Sequence, residues 1–232
     1  MKAYRLSPDE IYNLKKIERY GGTYSFQRWP EIYWGNPPKD LQLSDTPVNG
    51  YDADMLGGYH YGKNAEGHIE LYQERITACA DEIAIDLGLD FETTNADLCY
   101  IVLMHEMGHW FTHWCHKDAF QNRRNGYLFQ PKEVKETLAQ LTVMWSFARL
   151  SNKKVNRRKM IFSYLAQRQS YPYQQVLKFE EFYTKRGTIL RRFNDLLDKK
   201  EWGLEYLLDG KKHGLIHKEF KAEKTVSLRM KR

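Results

Sequence analysis

The chain has 232 residues, of which 42% are hydrophobic and 14% aromatic, and it carries a formal net charge of +6. This apolar content is enough to build a core and excludes a wholly disordered chain. No apolar run approaches the roughly 20 residues that cross a bilayer, and the first residues lack an apolar signal segment. The three cysteines, Cys79, Cys99 and Cys115, lie in apolar stretches. We therefore expect a cytoplasmic protein with free, buried thiols and no membrane association.

Charge is distributed unevenly along the chain. Up to Leu150 there are 15 basic and 21 acidic residues, whereas from Ser151 onward there are 21 basic and 9 acidic residues. Such a reversal indicates a boundary between two parts of different character. We predict a catalytic domain at residues 1–150 and a basic, helical C-terminal extension at residues 151–232 that packs on it. The extension is also the segment that we expect to meet an acidic partner or nucleic acid.

The first half of the chain predicts few regular elements. A helix is expected to begin with Ser7 as its N-cap and Pro8 in its first turn. Residues 21–58 are rich in Gly, Pro and Asp, which predicts an irregular stretch with at most short strands. Residues 59–61 and 68–72 are separated by a loop that contains glycine and asparagine, and this pattern predicts a β-hairpin.

Helical spacing of apolar residues follows the hairpin. Residues 74–87 predict an amphipathic helix. A second helix, capped by Asn95 and running from residue 96 to at least Trp110, is apolar nearly all round, so we expect it to cross the core. Pro131 opens a third helix to about Leu150, and the rest of the chain is predicted to be helical with breaks near residues 172, 187 and 203. This order of elements predicts an α+β fold.

The core helix carries the sequence His105-Glu106-Met107-Gly108-His109. Residues four apart lie on one face of a helix, so the two imidazoles can share one metal ion. Zinc prefers neutral imidazole nitrogens, and Glu106 is placed to take a proton from water at such a centre. The alternative is that both histidines are core residues that bond to backbone or to Glu106. Under that interpretation His105, Glu106 and His109 are polar side chains in an apolar helix, and their burial costs free energy.

A zinc site of this kind needs a third ligand, and Glu136 is the candidate that we favour. It lies in the first turns of the Pro131 helix, and the small Ala139 one turn later lets that helix approach the core helix closely. A carboxylate on the approaching face can then reach the metal. The alternative is that Glu136 and Glu133 only complement the positive end of their own helix.

Two histidines remain as other candidates. His113 faces the same side of the helix as His109 but lies about 6 Å further along the axis, which is too far for the same ion and favours a supporting role. His116 can bind the metal only if the helix breaks after His109. Neither glycine nor proline lies between His109 and His116 to force that break.

His105-Glu106-Met107-Gly108-His109-Trp110, followed by Glu136-Thr137-Leu138-Ala139, resembles the zincin metallopeptidases, and among them the gluzincins, whose third ligand is a glutamate. The resemblance covers residues 57–150 and is greatest to the ImmA/IrrE group and to ArdC-type antirestriction proteins. It implies a zincin-like α+β fold, with a small, mostly antiparallel sheet packed on the core helix and a helical C-terminal part. In zincins the substrate binds as an added strand along the sheet edge, for which residues 68–73 are the natural candidate.

Together these features predict a zinc-dependent metalloendopeptidase that acts on a protein or peptide. His105, His109 and Glu136 hold Zn²⁺, and Glu106 is the general base. Tyr127 or His113 is a candidate donor to the developing oxyanion. Two other classes of function stay open. One is a catalytically silent zinc domain with a regulatory role, and the other is a nucleic-acid-associated module that binds through the basic extension.

Overall fold

The computed structural model describes residues 2–12, 15, 30–36, 55–61, 67–114, 131–147 and 152–177. A helical segment at residues 8–12 follows the first strand. The numbered elements are, in chain order, β1 (Lys2–Ala3), β2 (Glu31–Gly35), β3 (Gly57–Tyr61), β4 (Gly67–Tyr72), α1 (Gln73–Leu87), α2 (Phe91–Trp114), α3 (Lys132–Phe147), α4 (Lys153–Arg168) and α5 (Tyr171–Gln174). The predicted α+β class is confirmed.

The strands form a small mixed sheet in the order β1-β2-β4-β3. The β1–β2 and β3–β4 pairs are antiparallel, whereas β2 and β4 run parallel, with Glu31 opposite His68 and Gly35 opposite Tyr72. Two of the three pairings are therefore antiparallel, in line with the expectation of a mostly antiparallel sheet. The parallel pairing of β2 with β4, which was not expected, makes the sheet mixed.

The predicted hairpin is present, with Tyr61 of β3 opposite Gly67 of β4. The prediction that residues 68–73 form the sheet edge is wrong, because β4 lies between β2 and β3 and is the central strand. Its Ile69 and Leu71 are fully buried, as expected for a strand with a neighbour on each side. Among the strands that the structure describes, β3 is the edge strand on this side of the sheet.

Helix α2 crosses the core as predicted but begins earlier. It starts at Phe91 instead of residue 96, since a carboxylate oxygen of Asp90 accepts a hydrogen bond from the Thr93 backbone N–H at 2.9 Å. Asp is a favoured N-cap residue, and Asn95 therefore lies inside the helix. From Leu98 to His113 nearly every residue of α2 is buried. The helix packs against α1, α3, α4 and the β3–β4 hairpin, so polar side chains on α2 are held in a protein interior.

The predicted N-cap of the first helical segment is also present. The Glu10 backbone N–H donates to the hydroxyl of Ser7 at 3.4 Å, and the Ser7 backbone N–H donates to the Glu10 carboxylate at 2.6 Å. This is the reciprocal arrangement of a capping box. Glu10 is buried and also accepts a hydrogen bond from the Tyr4 hydroxyl at 2.7 Å. The segment is thereby fixed to the residues that follow β1.

The described part of the basic extension packs on the core through ion pairs. The side chain of Asp97 in α2 is 1% exposed and contacts Arg157 Nε at 2.5 Å and Arg158 Nε at 2.7 Å. The Arg158 guanidinium also lies over the Tyr100 ring, 3.6 Å from its centroid. Asn152 caps α4 by accepting from the Val155 N–H at 2.9 Å. Residues 178–232, with most of the predicted breaks, lie outside the described residues, and the division at residue 150 stays a prediction.

The cysteines and the hydropathy of the helices were also considered in the sequence. Cys79 and Cys99 are buried free thiols, as predicted, and burial raises the pKa of each to about 12. Cys115 lies outside the described residues. Among the helices that the structure describes, none is long and apolar enough to cross a bilayer.

Candidate metal centre

Three side chains from two helices meet at one point in the core. His105 and His109 extend from one face of α2, and Glu136 extends towards them from the first turns of α3. Glu136 Oε2 lies 3.2 Å from Nε2 of His105 and 3.2 Å from Nε2 of His109, and the two Nε2 atoms are 3.1 Å apart. The three side chains are between 10% and 11% exposed. We call this group the inner triad.

The close approach of α3 to α2 delivers Glu136 to the histidines. A Cβ built on Gly108 would stand 2.7 Å from the Cα of Ala139 and 2.9 Å from Thr142 Oγ1. Any side chain at residue 108 would therefore push the helices apart. The predicted role of Ala139 as a small contact residue is correct. Its partner in the contact is the glycine inside the HExxH motif.

The inner triad fits a zinc ion. Ligand atoms bound tetrahedrally at about 2.0–2.1 Å lie about 3.3–3.4 Å from one another. The separations of 3.1–3.2 Å in the inner triad are within a few tenths of an ångström of that spacing. Two imidazoles and one carboxylate also form the donor set of many catalytic zinc sites, which keep a fourth position open. An ion here would be held by His105, His109 and Glu136.

The charges of the neighbouring side chains affect the pKa of Glu136 in the metal-free chain. Burial raises the pKa of Glu136, but the adjacent His109 and His105 outweigh burial and hold this pKa well below its ordinary value. The carboxylate is thus ionised at neutral pH. An ionised carboxylate is one requirement for binding a divalent cation, and neutral imidazoles are the other.

Glu106 lies beside the inner triad in a different electrostatic setting. It is 6% exposed, and burial raises its pKa to about 7. His105 and a hydrogen bond from the Tyr59 backbone oppose this rise, whereas Glu136 reinforces it. Two carboxylates of one site thus have pKa values displaced in opposite directions, an arrangement typical of acid–base chemistry.

Strand β3 passes close to Glu106 because residue 57 is a glycine. A Cβ on Gly57 would lie 3.0 Å from Val102 Cγ1 and 3.3 Å from Glu106 Cγ. Without a side chain at this position, the backbone of β3 comes within reach of the carboxylate. The edge strand of the sheet and the face of α2 that carries Glu106 therefore form one continuous surface.

A small, partly open pocket of about 20 Å³ lies beside His105 and Glu106. Its walls are apolar and amide side chains together with one aromatic ring, contributed by Leu56, Ile101, Val102, Gln140, Leu165, Gln169 and Tyr173. The Gln140 amide N–H donates to the Gln169 side-chain carbonyl at 2.8 Å, which fixes one wall. The ring of Tyr173 stacks on His105 with centroids 5.7 Å apart. A pocket of this volume has room for about one water molecule.

Sequence reasoning missed Tyr173 and the role of Tyr59. Tyr173 belongs to α5, which follows α4 after a short break, and its place beside His105 depends on how α4 and α5 pack. That packing left no local pattern in the sequence. Tyr59 could have been found from the glycines at 57 and 58, because a pair of glycines at a strand start indicates close approach of another backbone or side chain.

Of the other predicted site residues, the structure describes only His113 and Glu133. Helix α2 continues through Trp114 without the break after His109 that a His116 ligand would need. The His113 ring is buried, with Nδ1 2.9 Å from the Tyr59 hydroxyl. It therefore sits against β3, as expected for a supporting residue. His116 and Tyr127 lie outside the described residues. Glu133 stands in the first turn of α3, partly exposed.

Comparisons with protein-family models, with curated proteins and with solved structures found no match to this chain.

Proposed function

We propose that the protein is a zinc-dependent metallopeptidase of zincin-like architecture that hydrolyses peptide bonds in a protein or peptide substrate. The observation that carries the proposal is the inner triad, in which two imidazole nitrogens and one carboxylate oxygen lie 3.1–3.2 Å apart next to a buried Glu106. This donor set and this neighbour are what metal-assisted hydrolysis requires.

His105, His109 and Glu136 would hold the ion, and the chemistry that zinc supplies when bound is Lewis acidity, which acidifies water and polarises a carbonyl oxygen. The side chains of the protein position the ligand atoms. His105 and His109 are fixed by their helix, and Glu136 is fixed by the Gly108–Ala139 contact. All three ligands are therefore on rigid elements, which favours a pre-formed site.

Glu106 is the proposed general base. It takes a proton from the water that attacks the carbonyl carbon, and it returns the proton to the amine nitrogen as the C–N bond breaks. A pKa of about 7 in the metal-free chain places Glu106 near the pH at which it must accept and release that proton. A nearby cation favours the ionised carboxylate, so metal binding would lower this pKa and leave the base deprotonated at neutral pH.

We propose that the substrate binds along β3, the edge strand. A strand at a sheet edge offers unpaired backbone N–H and C=O groups to an extended peptide. Strand β3 passes Glu106 at Gly57 and Tyr59, so a peptide bound along it would bring one of its carbonyl groups towards the inner triad.

A catalytically silent zinc domain is the second candidate. Such a domain needs the inner triad but has no use for a buried carboxylate next to it, since an isolated buried charge is costly. Nucleic-acid binding by the basic extension stays a prediction, because most of that segment lies outside the described residues. Within its described part, Arg157 and Arg158 are paired with Asp97. The buried free thiols are consistent with the cytoplasmic setting that we propose.

Exchange of Glu106 for glutamine tests the proposal directly. Glu106→Gln keeps the shape and removes the base, so it should bind zinc like the wild type while hydrolysis of a mixed peptide library falls about 10²- to 10⁴-fold. Glu133→Gln is the matched control, because Glu133 is a carboxylate near the site but outside the inner triad. Equal cleavage by wild type and Glu106→Gln at equal zinc content would refute the peptidase proposal and favour the silent domain.

A further inference from the structure

A second group of metal-ligand side chains lies on the β3–β4 hairpin, apart from the inner triad. His60, His68 and Glu70 each offer one ligand atom, and these atoms lie within 4.8 Å of one another. We call this group the outer cluster. Its residues play no part in the proposed hydrolysis.

Strand register brings the outer cluster together. His60 of β3 is the direct partner of His68 of β4, and Glu70 follows His68 by two residues. Side chains two apart on a strand share a face, and so do directly opposed residues on an antiparallel pair. Ile69 and Leu71 alternate with these residues and are fully buried. The outer cluster therefore lies on the sheet face opposite the one that packs on the core.

The distances within the outer cluster match a shared ion. Glu70 Oε1 lies 3.3 Å from His68 Nε2, and Glu70 Oε2 lies 3.6 Å from His60 Nε2. The two imidazole rings are stacked, with centroids 5.0 Å apart and planes inclined by 17°. Both rings thus present their Nε2 atoms to one carboxylate. The two distances end on different oxygens of Glu70, and each lies within a few tenths of an ångström of the spacing of about 3.3–3.4 Å between ligand atoms around one zinc ion.

One atom of the outer cluster lacks a protein partner. His60 Nε2 is shielded from solvent and has no hydrogen-bond partner among the described residues, and its 3.6 Å distance to Glu70 is too long for a hydrogen bond. A shielded ring nitrogen without a partner is costly. A metal ion that binds this lone pair would remove that cost.

We propose that His60, His68 and Glu70 form a second zinc site on the outer face of the hairpin. The side chains of His60 and His68 are 39% and 36% exposed, so water can complete the coordination. Two imidazoles and one carboxylate suit Zn²⁺ better than Mg²⁺ or Ca²⁺, which prefer oxygen ligands throughout.

An ion in the outer cluster would join β3 to β4 by bonds from both strands. Strand β3 is the edge strand. The backbone N–H of its Tyr59, next to His60, donates a hydrogen bond to the Glu106 carboxylate. The second ion would therefore fix the strand that lies beside the inner triad. The second site itself requires only the hairpin and does not depend on the peptidase proposal.

Zinc binding to the full chain tests the proposal. The His105→Ala/His109→Ala variant removes two inner ligands, and equilibrium dialysis should still find one zinc per chain. Adding Glu70→Gln to that variant should weaken the remaining binding at least about tenfold. The matched control is Glu31→Gln, because Glu31 is paired with His68 in the sheet and its carboxylate accepts a hydrogen bond from Tyr33 instead of belonging to the outer cluster.

A folded double variant that binds no zinc would overturn the second site. Equal zinc affinities after the addition of Glu70→Gln and of Glu31→Gln would also overturn it. Both results mean that the outer cluster holds no ion. If the double variant does not fold by circular dichroism, the wild-type chain serves instead. It should then bind two zinc ions, with one lost in His60→Ala and none lost in Glu31→Gln. A wild-type chain with one ion, unchanged by His60→Ala, contradicts the proposal. Loss of hydrolysis in Glu106→Gln leaves all these outcomes unaffected, so the two proposals fail separately.

Discussion

Gly108 of the HExxH motif and Ala139 of α3 are in direct contact, with the Ala139 Cα 2.7 Å from the point at which a Cβ on Gly108 would stand. The contact lies between the two histidines of the inner triad on one helix and one turn beyond Glu136 on the other. The spacing of α2 and α3 therefore sets the distance between Glu136 and the imidazoles. We therefore expect a single methyl group at this contact to move Glu136 relative to the two histidines.

Gly108→Ala should separate the two helices and move Glu136 away from the histidines. Overpacking of this kind costs about 1–3 kcal/mol of unfolding free energy, and zinc affinity should fall at least about tenfold. The matched control is Ala139→Gly, which removes a methyl group from the same contact. It should lose about 1 kcal/mol through helix propensity and retain zinc. Zinc affinity in Gly108→Ala equal to that of the wild type would show that the contact does not position Glu136.

The Asp97 ion pairs should hold α4 on the core. Asp97→Asn removes the nearer charge partner of the buried Arg158 and leaves only the half-exposed Asp9 at 3.9 Å. Loss of one member of a buried pair costs about 3–5 kcal/mol, and Asp9 should offset only a small part of this cost. The control is Asp86→Asn, because Asp86 pairs with Arg168 on the same helix but both side chains are about 40% exposed. Such a pair contributes about 0–1 kcal/mol. Urea unfolding of both variants measures the difference, and similar losses in the two would contradict the assigned role of Asp97.

Burial of Glu106 should make the stability of the metal-free chain depend on pH. Its pKa rises from an ordinary value of 4.5 to about 7 on folding, so the folded state binds the proton more tightly. The contribution of this bound proton to the free energy of unfolding is fully present below pH 4.5 and is lost as the pH rises through 7. Above pH 7 the loss approaches roughly 3 kcal/mol, from 1.36 kcal/mol for each pKa unit.

Glu106→Gln provides the reference for that measurement, because glutamine resembles the protonated carboxyl group and does not titrate. With zinc removed by a chelator, the wild type should become less stable relative to Glu106→Gln between pH 5 and pH 8. Glu136 is present in both proteins, so its opposite dependence on pH largely cancels. A constant difference across this range would mean that Glu106 is not buried in the metal-free chain.

The local parts of the site could be predicted from the sequence. The four-residue spacing of His105 and His109 places both on one helical face whatever the rest of the fold. The position of Glu136 in the first turns of its helix and the small Ala139 predicted an approaching helix, which the structure contains. These inferences succeeded because helix periodicity depends on neighbours within a few residues.

The non-local parts could not be predicted in the same way. The parallel pairing of β2 with β4 made β4 central and β3 the edge, and it depends on segments far apart in the chain. Alternation in residues 68–72 fits a central strand as well as an edge strand, so the pattern did not distinguish them. Tyr173 reaches His105 only because α4 and α5 pack on α2 and α3.

The location of zinc in the full chain tests the central claim most directly. Crystals of the zinc-loaded wild type, measured on both sides of the zinc absorption edge, would show the ion by its anomalous scattering. We expect a peak about 2.0–2.2 Å from Nε2 of His105, Nε2 of His109 and a carboxylate oxygen of Glu136. Zinc-loaded crystals with no peak at this point, or with His116 in place of Glu136 among the ligands, would contradict it.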